Sequence, residues 1–179
     1  MSESIRLTRR RLSAHGPAAL LALLVPALAF PLGLVLLRND ARFDWLAGPQ
    51  DYPWQFWVVA VCGSLATIAG VIDWRIHRSG STVVGRREHR AHVAALAGGG
   101  IPLFLLMAVA SIVARPAQLL VPVLIALIAT VIFICYDEFL FHRRCARGEV
   151  LAHRTLTLGN GVAFLAWAHW CFARGAIDG

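Results

Sequence analysis

Four acid–x3–His pairs stand in this chain: Asp73/His77, Glu88/His92, Glu138/His142 and Glu149/His153. On a helix, residues four apart share a face, with Cβ atoms about 5–6 Å apart. A carboxylate and an imidazole at that spacing form a chelating arm from a single helix. The same i, i+4 spacing serves the two histidines of a zinc-protease helix. With 7 His and 10 acids in 179 residues, chance placement gives about 0.4 such pairs by template counting.

Four carboxylates and four imidazoles are too many donors for one zinc, which takes three protein ligands in a catalytic site. Two metals with bridging carboxylates and open positions use them fully. One His-bound metal with carboxylates hydrogen-bonded to the ring nitrogens is a second arrangement. Oxygen and imidazole without thiolate suit iron, manganese or zinc, and iron is favoured. The expected ligand set is Asp73, His77, Glu88, His92, Asp137, Glu138, His142, Glu149 and His153. His92 and His153 lead it, because they lie inside apolar runs where an idle imidazole is costly. Asp137 and Glu138 compete for one role. Glu149 is the weakest acid, since a carboxylate in a first helical turn also complements the helix dipole. His89 lies off the Glu88/His92 face, and His15 and His169 fall outside the cluster. The competing reading is a salt-bridge network of these acids with nearby arginines.

The elements that carry the pairs are membrane helices. Hydrophobic residues make up 58% of the chain, against about 45–50% for a soluble domain. Five runs reach the length of about 20 residues that a bilayer demands: 18–37, 54–72, 93–114, 117–139 and 151–172. The expected fold is therefore all-α, a bundle of five transmembrane helices. Residues 1–17 form a basic cytoplasmic segment and 18–179 a single transmembrane domain. Arg115-Pro116 leaves room only for a tight hairpin between the third and fourth spans. The motif Thr8-Arg9-Arg10-Arg11-Leu12 precedes an apolar run too long for a secretory signal, so a retained first helix is expected.

Every basic residue is arginine, 17 in all, against 10 acids, for a net charge of +7. Thirteen arginines precede the first span, lie in the loops after the second and fourth, or, as Arg154 does, stand in the first turn of the fifth. The positive-inside rule then puts the N-terminus in the cytoplasm and the C-terminus outside, and sends all four pairs to the cytoplasmic face of the bacterial inner membrane. The charge reads as topology and lipid-headgroup attraction, not nucleic-acid binding. Trp45, Tyr52, Trp54, Trp57, Trp167 and Trp170 read as an interfacial aromatic belt at the opposite face. Cys62, Cys135, Cys145 and Cys171 show no C-x-x-C spacing and no disulfide framework.

Asp73-x3-His77-Arg78, Glu88-x3-His92 and Glu149-x3-His153 resemble the pattern in a group of uncharacterised bacterial inner-membrane proteins, a resemblance that brings no assigned activity. In design the chain is similar to membrane fatty-acyl desaturases and hydroxylases, which hold two irons at the cytoplasmic ends of transmembrane helices. Their H-x-x-H-H motifs are absent here. The resemblance implies a metal-dependent oxidation or hydroxylation of a lipid or isoprenoid. An electron donor would then be a partner, and a homo-oligomer is admitted. Arg75, Arg78, Arg143 and Arg144 would hold an anionic headgroup, which guanidinium groups grip bidentately. Asn160, seven residues after His153 on the same face and deeper, is open to substrate binding or to a bond across helices. The alternatives are a zinc-dependent lipid hydrolase, in which metal-bound water attacks, and a non-enzymatic haem-binding, metal-binding or transport protein.

Overall fold

A computed structural model describes residues 17–78, 91, 93–141 and 147–173. Within these, the side chains of residues 17–19 and of Ala22, His77, Arg78, Asp137 and Phe141 are outside the described set. The described chain is helical throughout, without a strand. Five helices carry it: α1 (Pro17–Leu37), α2 (Trp54–Arg78), α3 (Ile101–Ile112), α4 (Leu120–Phe141) and α5 (Arg147–Ala168).

Among the described residues, three stretches are long and apolar enough to cross a membrane: Trp54–Ile76, Ala95–Ile112 and Pro116–Leu140. The apolar part of α1 is shorter, Leu23–Leu37. The 22 residues of α5 include Arg147, Glu149, His153, Arg154 and Asn160, which dilute its apolar character. Large apolar side chains such as Leu28, Val35, Val121, Ile125, Ile132, Leu158 and Leu165 are exposed around the bundle. Water-facing surfaces rarely carry contiguous apolar patches of this extent; lipid tails accept them at no cost.

Hydroxyls in the apolar helices bond back one turn. Thr67 Oγ1 donates to Gly63 O (2.8 Å), Ser111 Oγ to Met107 O (2.8 Å) and Thr130 Oγ1 to Ala126 O (2.7 Å). This satisfies them without a partner helix. Before α3 the helix widens into a π turn over Ala95–Gly100. The cause is Pro102, whose ring clashes with the carbonyl four residues back, at Gly98. The hairpin is wider than Arg115-Pro116 alone: α3 ends at Ile112 and a 3-10 turn over Pro116–Leu119 leads into α4.

The helices pack in two antiparallel pairs. In the first, Gln55 meets His169, Ala66 meets Gly159, and Gly70 meets Leu156. A Cβ on Gly159 would sit 2.9 Å from Cys62 O, so only glycine lets α2 and α5 approach this closely. Gly70 also abuts Leu23 of α1. In the second pair, Gly99 lies against Thr130 and Gly98 against Phe133 of α4. Small residues at the seam are how membrane helices gain packing area without a hydrophobic driving force.

The two pairs join at one end through a core of Leu103, Ala110, Val123, Phe164, Trp167 and Cys171. Trp167 Nε1 donates to Ser111 Oγ (2.9 Å), and Cys171 Sγ lies 3.6 Å from Ala110 O. Trp167 is thus a buried packing residue and not part of a belt. Its ring lies on the α5 face turned toward α3 and α4. Trp54 and Trp57 are exposed, as belt residues should be. Trp45 stacks edge-on against Phe56 and Trp170 (ring centroids 4.8 and 5.9 Å).

The loop between α1 and α2 closes this aromatic end. Asp40 caps the 3-10 helix Ala41–Leu46 by accepting from Arg42 N (3.0 Å). Its carboxylate grips the Arg42 guanidinium (2.7 Å), and Arg42 Nη1 reaches Ile112 O (3.2 Å). The Arg42 side chain and its backbone N–H hold the Asp40 carboxyl down at about 2.

Candidate functional site

The opposite, acidic end of the bundle gathers the described members of the expected ligand set. Asp73 lies on the α2 face formed by Ala66, Ala69 and Gly70, the face that packs on α5, and is 6% exposed. The antiparallel register that sets Ala66 at Gly159 and Gly70 at Leu156 puts Asp73 at the level of His153. One turn further, His77 stands at the level of Glu149. On α5, Glu149 is 2% exposed and His153 8%.

His153 Nε2 approaches Glu138 Oε2 of α4 at 3.1 Å. Glu138 keeps about a third of its side chain accessible, whereas His153 keeps about a tenth. The contact is between helices, not along one. Spacing alone pairs Glu138 with His142, and His153 with Glu149. The i, i+4 rule speaks only of neighbours on one helix and cannot see a partner from another.

Three helices therefore bring Asp73, Glu138, Glu149 and His153 to one end. Burying three ionisable groups at the boundary of apolar helices is costly unless they face one another, a cation or an aqueous cavity. Glu149, the weakest acid by sequence, is the most buried of them. A residue that merely complemented the dipole in a first turn would stay in water. The 3.1 Å approach suits a direct carboxylate–imidazole contact. It also suits two ligands side by side on one ion, whose donor atoms lie about 3 Å apart at metal–ligand distances near 2.0–2.2 Å.

Among the described residues no group of three or more His, Cys, Asp or Glu closes to metal-binding distances. Glu88, His92, His142, Arg143 and Arg144 lie outside the described residues, as do the side chains of His77, Arg78 and Asp137. Of the expected headgroup arginines, Arg75 is described and is exposed at this end. Asn160 is exposed and bonds across no helix among the described residues.

The chain is thus an all-helical protein with membrane-type helices and a buried acid–histidine cluster at one end. Compared with known protein families, curated proteins and solved structures, it shows no match.

Proposed function

We propose that this chain is a five-span protein of the bacterial inner membrane, N-terminus in the cytoplasm. Its acidic end is a metal centre that oxidises or hydroxylates a lipid or isoprenoid. The observation that carries the reading is the Glu138–His153 approach at 3.1 Å, made beside the buried Asp73 and Glu149. Carboxylate and imidazole donors carried on three helices match the ligand preference of a transition metal that takes mixed oxygen and nitrogen, and iron is the favoured occupant, two ions per chain.

A redox metal with open positions would supply the oxidising power. The chain's own residues do the rest. Asp73, Glu138, Glu149 and His153 hold the charge within a water-poor end of the bundle. Arg75 offers an exposed guanidinium for an anionic headgroup at the same end. The bilayer delivers the chain of the substrate sideways. Five spans follow from adding α1 and α5 to the three stretches of membrane-spanning length, and the arginine distribution favours the stated orientation.

Metal content of the purified protein tests the reading. Iron with oxygen-dependent turnover of a lipid supports it. Zinc without oxygen dependence favours lipid hydrolysis, and a Soret band favours haem.

A further inference from the structure

A cavity of about 360 Å³ opens at the hairpin between α3 and α4, lined by Val109, Val113, Ala114, Arg115, Gln118 and Leu119. Small-molecule sites start at about 300 Å³. Its lining is apolar on one side and polar on the other. Val109 lies within the membrane-length stretch Ala95–Ile112. Val113 follows one turn later, its N–H bonded to Val109 O (3.2 Å), and both side chains are exposed. Leu119 is half-buried and packs on the core of the aromatic end. Arg115 and Gln118 stand where the first membrane-length stretch has ended and the next, Pro116–Leu140, begins.

Arg115 is exposed, and its guanidinium has no ion pair or hydrogen bond among the described residues. A cation here could serve to complement the C-terminal end of α3. That role is already filled, because Arg42 Nη1 donates to Ile112 O (3.2 Å). The charge of Arg42 is balanced in turn by Asp40 (2.7 Å). The Gln118 backbone N–H bonds Arg115 O (3.3 Å), which holds both polar residues in one turn. The side-chain amide of Gln118 also has no partner among the described residues.

We infer that this cavity seats the headgroup of an anionic phospholipid. The Arg115 guanidinium grips two phosphate oxygens, as its planar fork allows, and the Gln118 amide donates to a third headgroup oxygen. One acyl chain then lies over Val109 and Val113. Charge complementarity names the occupant: a free cation beside an apolar wall, at the end of a membrane-length helix, matches an amphiphile with an anion above its hydrocarbon. Soluble phosphate would answer Arg115 and leave the valines uncovered. A second copy related by a two-fold axis through the cavity would set Arg115 against Arg115. The site lies at the opposite end of the bundle from Glu138 and His153 and does not depend on the metal reading.

The test uses the full chain in lipid nanodiscs doped with photoreactive phosphatidylglycerol or phosphatidylcholine. Both probes carry a diazirine near the top of one acyl chain, and adducts are mapped by peptide mass spectrometry. The expected result is labelling of Val109 and Val113, stronger from phosphatidylglycerol. Arg115→Gln should weaken that labelling about fivefold, the attraction that one basic residue contributes near anionic lipid. Arg115→Lys should retain part of it. Ala114→Trp, which fills the cavity, should abolish it. Arg38→Gln changes an exposed arginine at the same end and should leave it unchanged. Millimolar glycerol phosphate should not compete. Equal labelling by the two probes, a loss in Arg38→Gln as large as in Arg115→Gln, or displacement by glycerol phosphate would each overturn the inference. Metal content is read on the same samples: its absence would count against the proposed function and leave this site standing.

Discussion

His153 and Glu138 come from helices that are consecutive in sequence, yet their contact is at the acidic end, where Nε2 and Oε2 lie 3.1 Å apart. At the other end the same two helices are held by the Val123, Phe164 and Trp167 core. The site and the core are thus opposite ends of one clamp. A metal centre built this way would have its ligand geometry tied to the spacing of the two helix pairs.

The Glu138–His153 contact should register as coupling. In a double-mutant cycle with Glu138→Gln and His153→Gln, the interaction energy should be about 0.6–1.7 kcal/mol, the range for paired polar side chains between membrane helices. Reversible unfolding in mixed micelles measures it. Additive single effects would show that the two residues do not act together.

Two glycines on α5, two residues apart, should respond with opposite signs. Gly159→Ala places a Cβ 2.9 Å from Cys62 O and 3.1 Å from the Ala66 Cβ, forcing α2 and α5 apart at a cost of about 1–3 kcal/mol. Gly161→Ala meets nothing within 4 Å and should gain up to about 1 kcal/mol of helix propensity. Thermal melts of the two variants give the signs directly.

The loop over the aromatic end should loosen in acid. Asp40 is held at about 2, below its ordinary 3.8, mainly by its hydrogen bonds to Arg42. A depressed carboxyl contributes stability that is complete above the ordinary value and disappears as pH falls through the depressed one. The protection of the 41–46 amides, relative to their intrinsic exchange at each pH, should therefore be full above pH 3.8 and fall between 3.8 and about 2. Asp40→Asn should show the low protection at every pH.

Much of this architecture is legible in the residues. Apolar runs mark where α1, α2, α4 and α5 lie, because a bilayer leaves helices few alternatives. Arg115-Pro116 marks the hairpin. Asp73, Glu149 and His153 fall at the ends of those runs that the alternation of spans brings to one side. The Glu138–His153 contact is hidden from spacing, because it depends on the register between α4 and α5, which Val123 and Trp167 set some 22 Å away. Trp167 reads as a belt residue because a packing tryptophan and a belt tryptophan look alike near a helix end.

Elemental analysis of the purified chain, alongside His153→Ala and Glu138→Ala, tests the central claim most directly. The account predicts close to two transition-metal ions per wild-type chain, iron foremost, and a substantial loss of metal in both variants while the helical content is retained. A wild-type protein that contains no transition metal and takes up none on addition, or variants whose metal content equals the wild type's, would contradict it.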